Sequence, residues 1–258
     1  MRAGSNLGES GQRVALSALK NGFINLFGSG DDIRPDRVVC WNMAGAVSMG
    51  DYVWVSAIFK SATLNRGWDI DLYHDGKTGD GSLLFENENG LPIAEEFRPQ
   101  KIWANADDPP IRKLPPVFNI DYAILVSEEL RHLFEGFDLG EGDILPMEHG
   151  IFQSDQTTKY EPNYYSWVIG NKKSSVVLDQ TEAKMKLNPL GQVWHLEFNS
   201  SMGDDVVAVD ASALEGPDQW VDPLLQGSIF LSQKLGDRIV SEGYKEAFFL
   251  HRCRLLPG

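Results

Sequence analysis

One pattern occurs twice in this chain, and it limits the fold more than any other feature. The first copy reads Ile124-Leu125-Val126-Ser127-Glu128-Glu129-Leu130 and continues through Leu133, Phe134 and Phe137. The second reads Ile229-Phe230-Leu231-Ser232-Gln233-Lys234-Leu235 and continues through Ile239 and Val240 to Gly243. Each is a short apolar strand, a serine and a helix with a narrow apolar stripe. A serine hydroxyl at such a junction accepts from a first-turn amide that otherwise has no partner, worth about 1 kcal/mol. Leu130, Leu133, Phe134 and Phe137 recur at i, i+3, i+4 and i+7, so that helix packs one face on a sheet. A strand follows each helix, over 143–147 and over 247–251. Further strands are expected at 164–169, 175–178, 192–198 and 206–209. Two similar strand-Ser-helix-strand units imply pseudo-symmetric halves of one mixed sheet. The fold class is α+β, with a mainly antiparallel sheet and short helices.

The region before the first copy has a different texture. Val14, Ala15, Ala18, Leu19, Phe23, Leu26 and Phe27 give helical spacing, stopped by Gly28-Ser29-Gly30. Strands are expected at 37–41, 51–59, 68–73 and 82–85. In Trp68-Asp69-Ile70-Asp71-Leu72 apolar and acidic residues alternate, as in a half-buried strand. Pro92, Pro99, Pro109, Pro110, Pro115 and Pro116 then interrupt any regular element. This stretch suggests a boundary between residues 1–115, a helix plus a β-rich region, and an α+β domain over 116–258.

Charge narrows the partners. The chain has 258 residues, with 37 Asp and Glu against 23 Lys and Arg, a net charge of −14. That length buries roughly 70–75% of the unfolded chain's surface in one large domain or two small ones. A pI near 4.7 argues against gripping nucleic acid through its phosphates, which takes clustered Lys and Arg. Cys40 and Cys253 alone do not make a disulfide framework. The first residues hold one basic side chain and no apolar core after it, so no signal peptide is expected. Asp51 and Lys60 bound the apolar run 52–59, well short of the ~20 residues that span a bilayer. These readings give a cytoplasmic protein without a membrane partner.

Local motifs for chemistry are missing or incomplete. His74, His132, His149, His195 and His251 are scattered, with no metal-ligand spacing, so neither a metal nor a cofactor is expected. His195 alternates with Val193 and Glu197 as an ordinary strand residue. Ala46-Val47-Ser48-Met49-Gly50 resembles a nucleophile elbow with alanine in the first place, but it lacks the strand before and the helix after. The window from Asp75 to Glu86 has acids at its ends, yet Lys77 and Gly79 stand where calcium needs oxygen ligands. Asp-Gly pairs make it a hairpin turn. No glycine-rich phosphate loop occurs.

The acid is concentrated in the second half. Residues 1–115 carry 15 acids and 12 bases, net −3, and 116–258 carry 22 and 11, net −11. Residues 116–162 alone hold 10 acids and 2 bases, net −8, and 194–246 hold 10 and 3, net −7. One account is a solvated face that keeps the protein soluble. The other is a docking surface for a basic partner, where a single-sign field raises the association rate. Its candidates are Glu128, Glu129, Glu135, Asp138, Glu141, Asp143 and Glu148.

Over roughly residues 116–253 the chain also resembles a family of predicted bacterial immunity proteins of polymorphic toxin systems, typified by a myxobacterial protein. The pieces that carry the likeness are 124–130, Tyr164-Tyr165-Ser166-Trp167-Val168-Ile169 leading to Val177-Leu178-Asp179, and Trp220-Val221-Asp222-Pro223 running through 229–235 to Gly243-Tyr244. In that family the Tyr-rich strand is followed directly by Asn, whereas here Ile169-Gly170 precede Asn171. The resemblance implies a non-catalytic protein that binds a cognate toxin and neutralises it. Trp220 and the tyrosines are then candidate interface anchors, since aromatics are enriched in hot spots. The alternative for these aromatics is core, preferred for Trp167 and Trp194 in their apolar strands. Two other functions stay open: a hydrolase-type enzyme using Ser48 or His74 in the N-terminal half, and an adaptor module of a secretion or effector complex.

Overall fold

The structure, a computed structural model, describes residues 50–61, 67–74, 86–120, 123–188, 193–197 and 202–257. All of them lie in a unit spanning Gly45–Gly258, distinct from Met1–Ala44. The expected helix at 14–27, the strands at 37–41 and 82–85, the turn at 75–85, Cys40 and Ser48 fall outside the described residues, as does the side chain of His74.

The fold is α+β, built from short, mainly antiparallel strands. Strand β1 (Val53–Ser56) comes first, followed by helix α1 (Ile58–Ser61), β2 (Trp68–Ile70), α2 (Asp71–His74) and β3 (Lys101–Ala104). Then come β4 (Val117–Ile120), β5 (Ala123–Ser127), α3 (Glu128–Arg131), β6 (Asp143–Pro146), β7 (Gly150–Phe152) and β8 (Tyr164–Val168). The last part holds β9 (Met185–Leu187), β10 (Trp194–Leu196), β11 (Ala208–Val209), β12 (Gln219–Val221), β13 (Ile229–Ser232), α4 (Gln233–Ser241) and β14 (Leu250–Leu255). They form a five-stranded sheet, β11-β14-β1-β13-β12, and a four-stranded sheet, β4-β5-β8-β6. A three-stranded sheet, β2-β3-β7, and the hairpin β9-β10 complete the pairing.

The two repeated units lie in different sheets, not in one as expected. In the first, β5 and β6 both pair antiparallel with β8, which lies between them. In the second, β13 and β14 both pair antiparallel with β1. Each unit also has an antiparallel neighbour on its first strand, β4 on β5 and β12 on β13. Four strands of the larger sheet, β14-β1-β13-β12, therefore share an up-down-up-down plan with the four-stranded one, and β11 joins β14 in parallel. In each, the strand between the flanking pair comes from elsewhere in the chain.

Both sheets are covered on both faces, which is why their strands read as unbroken apolar runs. Ile124, Val126, Ile144 and Trp167 of one sheet and Trp54, Ile229, Leu231 and Leu250 of the other share a core with Leu130, Leu133 and Phe134 after β5 and Leu235 and Ile239 of α4. The opposite face of the four-stranded sheet packs Phe118, Ile120, Leu125, Tyr164 and Val168 on Ile70, Ile102 and Ile151 of the small sheet. The opposite face of the five-stranded sheet packs Val53, Val55, Phe230, Trp220 and Cys253 on Val176, Leu196, Val207 and Val209. β1 is thus the middle strand of a sheet whose other members all follow residue 200. The pairing crosses the expected 115/116 boundary.

Several expected elements are shortened by local hydrogen bonds. β1 stops at Ser56, whose Oγ accepts from the Ile58 amide and donates to the Phe248 carbonyl. β2 stops at Ile70 because the Asp71 carboxylate accepts from the amides of Leu72, Gln100 and Lys101. The last strand starts at Leu250, three residues late, because Phe248 and Leu250 donate to the carbonyls of Tyr244 and Lys245. Residues 175–178 give only a single bridge, Val176 to Val209, and a 3-10 turn at Leu178–Gln180. The serine caps divide. Ser232 Oγ accepts from the Leu235 amide at 3.3 Å, whereas Ser127 makes no such bond and its buried Oγ has no partner. Ser127 lies inside the ladder opposite Tyr164.

A buried polar seam ties the two sheets together. The Trp167 indole of β8 donates to Gln219 Oε1 of β12 at 2.6 Å, and Gln219 Nε2 donates back to the carbonyls of Val168 and Ile169. Asn171 Nδ2 donates to the carbonyls of Leu139, Ile169 and Gln219, and its Oδ1 accepts from the Glu141 amide. Gly170 has φ +65°, and a Cβ there would run into the backbone of Glu141 and Gly142. This is one position where only glycine lets two segments approach.

Candidate functional site

The seven candidate carboxylates all stand exposed, and they occupy four places. Glu128 and Glu129 form the first turn of α3. Asn163 Nδ2 donates to Glu128 Oε2 at 3.4 Å. Burial, helped by the charge of Glu129, pushes the Tyr164 hydroxyl up to about 12. Glu135, Asp138 and Glu141 follow on the segment leading to β6. Its backbone is fixed by Asn171 at Glu141, and by Asp218, whose carboxylate accepts from the Asp138 amide while its own amide donates to the Asp138 carbonyl. Asp143 opens β6, where its carboxylate accepts from the Ile144 amide. Glu148 lies in the turn after β6, its amide donating to Gln100 Oε1 at 2.9 Å.

Two open grooves gather further acid that sequence reading did not single out. One, of about 750 Å³, is lined by Glu95, Glu96, Arg98, Gln100, Leu145, Pro146 and Glu148. It brings an acidic doublet from before Pro116 beside the turn after β6. The other, of about 420 Å³, lies where β1 begins and α4 starts, with Asp51, Glu215, Asp218, Asp237 and Lys234 among its lining residues. The Asp237 carboxylate there accepts from Tyr52 Oη and Trp54 Nε1, at 2.8 and 3.0 Å. Leu214, 42% exposed, stands on the same rim. The pair Glu95-Glu96 before Arg98-Pro99 was visible in the sequence, but its distance from residue 148 hid the partnership.

Trp220 does not belong to an exposed surface. It is fully buried, stacked on Phe230 with centroids 5.7 Å apart, and covered by Lys173 Nζ at 3.4 Å from its ring centroid. That lysine also donates to the carbonyls of Ala213 and Glu215. Burial holds its ammonium down at about 8, against the opposing charges of Asp218 and Glu215. Trp220 thus supports the segment bearing Glu215 and Asp218 from beneath. Trp167 is core, as expected.

His195 Nδ1 lies 3.2 Å from the Gln226 carbonyl on β10, half-buried. Cys253 is a buried free thiol, its pKa raised by burial. Among the described residues, no three His, Cys, Asp or Glu side chains stand where they could hold a metal ion, and no helix is long and apolar enough to cross a membrane. Compared with known proteins, the chain matches no family model and no curated protein sequence.

Proposed function

We propose that this protein is a non-catalytic immunity protein that binds and neutralises a cognate bacterial toxin in the cytoplasm of the cell that makes it. The reading rests on the family resemblance over 116–253, and one structural observation supports it. None of the seven exposed carboxylates from Glu128 to Glu148 forms an ion pair among the described residues. Ion pairs among the described residues are made elsewhere, by Glu182, Glu197, Asp204, Asp205 and Glu242. A stretch of net −8 whose carboxylates stay unneutralised projects its field outward, which speeds encounter with a basic protein and disfavours nucleic acid.

The test is to mix the purified protein with the toxin encoded beside it, and to express both together. The expected outcome is a stable complex by calorimetry and gel filtration, an association rate that falls as salt rises, and rescue of growth. No complex, or a complex that leaves the toxin active, overturns the reading. In the second case the protein is an adaptor.

A further inference from the structure

The groove beside β6 has the features of a recognition site for one kind of ligand. Its acidic side chains come from two segments fifty residues apart, Glu95 and Glu96 on one and Glu148 on the other. Among the described residues none of the three pairs with a cation. Leu145 and Pro146 supply apolar surface between polar walls. Leu91 and Phe97, which flank the acidic doublet in the chain, are 39% and 37% exposed, among the few large apolar side chains left so open. The walls are pre-set. The Gln100 and Lys101 amides are held by Asp71, Gln100 Oε1 accepts from the Glu148 amide, and Arg98 Nε donates to the Ile93 carbonyl.

β6 is an end strand, yet it is poorly suited to adding another strand. Its Ile144 amide is already taken by Asp143, and Pro146 has no amide to give. Recognition here must therefore run through side chains. Lysine and arginine suit it, because their aliphatic stems cover apolar surface while the charged end reaches a carboxylate.

We infer that this groove docks a basic, extended segment of a partner protein, its Lys or Arg ends on Glu95, Glu96 and Glu148 and its stems on Leu145 and Pro146. This rests on the binding function above only in taking the partner to be a protein. Exposed charge pairs are individually weak, so losing three weakens binding on the order of tenfold.

The probe is a fluorescein-labelled octapeptide alternating lysine and leucine, titrated by anisotropy at low salt. The protein is compared with E95Q/E96Q/E148Q and with D107N/E161Q/D179N, which removes the same charge from exposed residues outside the groove. The expected result is roughly tenfold weaker binding for the groove variant and less than about twofold for the control. Equal losses, no loss in the groove variant, or no binding by the unaltered protein overturns the inference. The same three proteins are then titrated with the toxin. Failure of the unaltered protein there overturns the immunity reading and leaves the groove result standing. A complex that the groove variant leaves unchanged removes the groove from the toxin interface.

Discussion

Asn171 shows how single side chains place the acidic surface. Its amide group makes four hydrogen bonds, which join the end of β8, the start of β12 and the segment carrying Glu141. Asn171→Ala takes the partner of the partly buried Glu141 amide and one bond from each of three carbonyls, of which Leu139 keeps the Gly142 amide and Ile169 keeps Gln219 Nε2. A loss of about 1–3 kcal/mol in urea unfolding is expected, the cost of orphaning a buried polar group. His251 gives a second handle. Burial lowers its pKa, with Lys245 adding to the effect and Asp204 and Glu246 opposing it. A histidine that resists protonation in the folded state binds its proton more readily when unfolded. Its share of stability is therefore intact above about pH 6.5 and is lost as pH falls from there through the lower folded pKa. His251→Gln is expected to narrow the drop in urea midpoint between pH 7.5 and 5.5; an unchanged drop rejects this. Residue identity alone misled at Trp220, because a tryptophan in a strand buried on both faces has no period that separates core from surface.

Among elements, the repeated strand-Ser-helix-strand units were the most legible part of the sequence, since their periodicity is local. Leu130, Leu133 and Phe134 are buried as their spacing implies, although α3 is a single turn that passes into a 3-10 turn at His132–Phe134 and Phe137 lies beyond it; Leu235 and Ile239 are buried on α4. The caps were less legible, because a serine's role depends on what lies across the ladder. Ser232 is partly exposed and bonds to the first turn of α4, whereas Ser127 is enclosed with its hydroxyl unpaired. The two alanine variants should therefore behave differently. Ser232→Ala is expected to cost about 1 kcal/mol, and Ser127→Ala between nothing and a small gain, because it removes a buried polar group that has no partner. Urea midpoints of the two variants check the contrast, and equal losses would mean that Ser127 Oγ is bonded in solution.

At the scale of the whole molecule, what the sequence hid is long-range pairing. β8 enters the first unit from after it, and β1, Val53–Ser56, enters the second from far before Ile229, where that unit begins. Neither insertion leaves a mark in local hydrophobicity, so the proline-rich stretch looked like a boundary between independent parts. The grooves were hidden for the same reason: Glu95 and Glu148, or Asp51 and Asp218, meet only through the fold. The acidity of the second half was legible, but its arrangement was not. The role of β1 gives the sharpest test of this organisation. Val53 and Val55 are completely buried and Trp54 nearly so, with β13 and β14 bonded along the two sides of the strand. A chain of residues 116–258 would leave those two strands a full strand-width apart, with the apolar faces of Phe230, Leu231, Leu250 and Cys253 open to water. Closing that gap would force α4 and its core partners out of register. Such a fragment is expected to lack a cooperative urea transition and to aggregate, and a chain that keeps residues 45–115 to unfold in one step. Cooperative folding of 116–258 alone, followed by circular dichroism and tryptophan fluorescence, would show that the second half closes its sheet without β1.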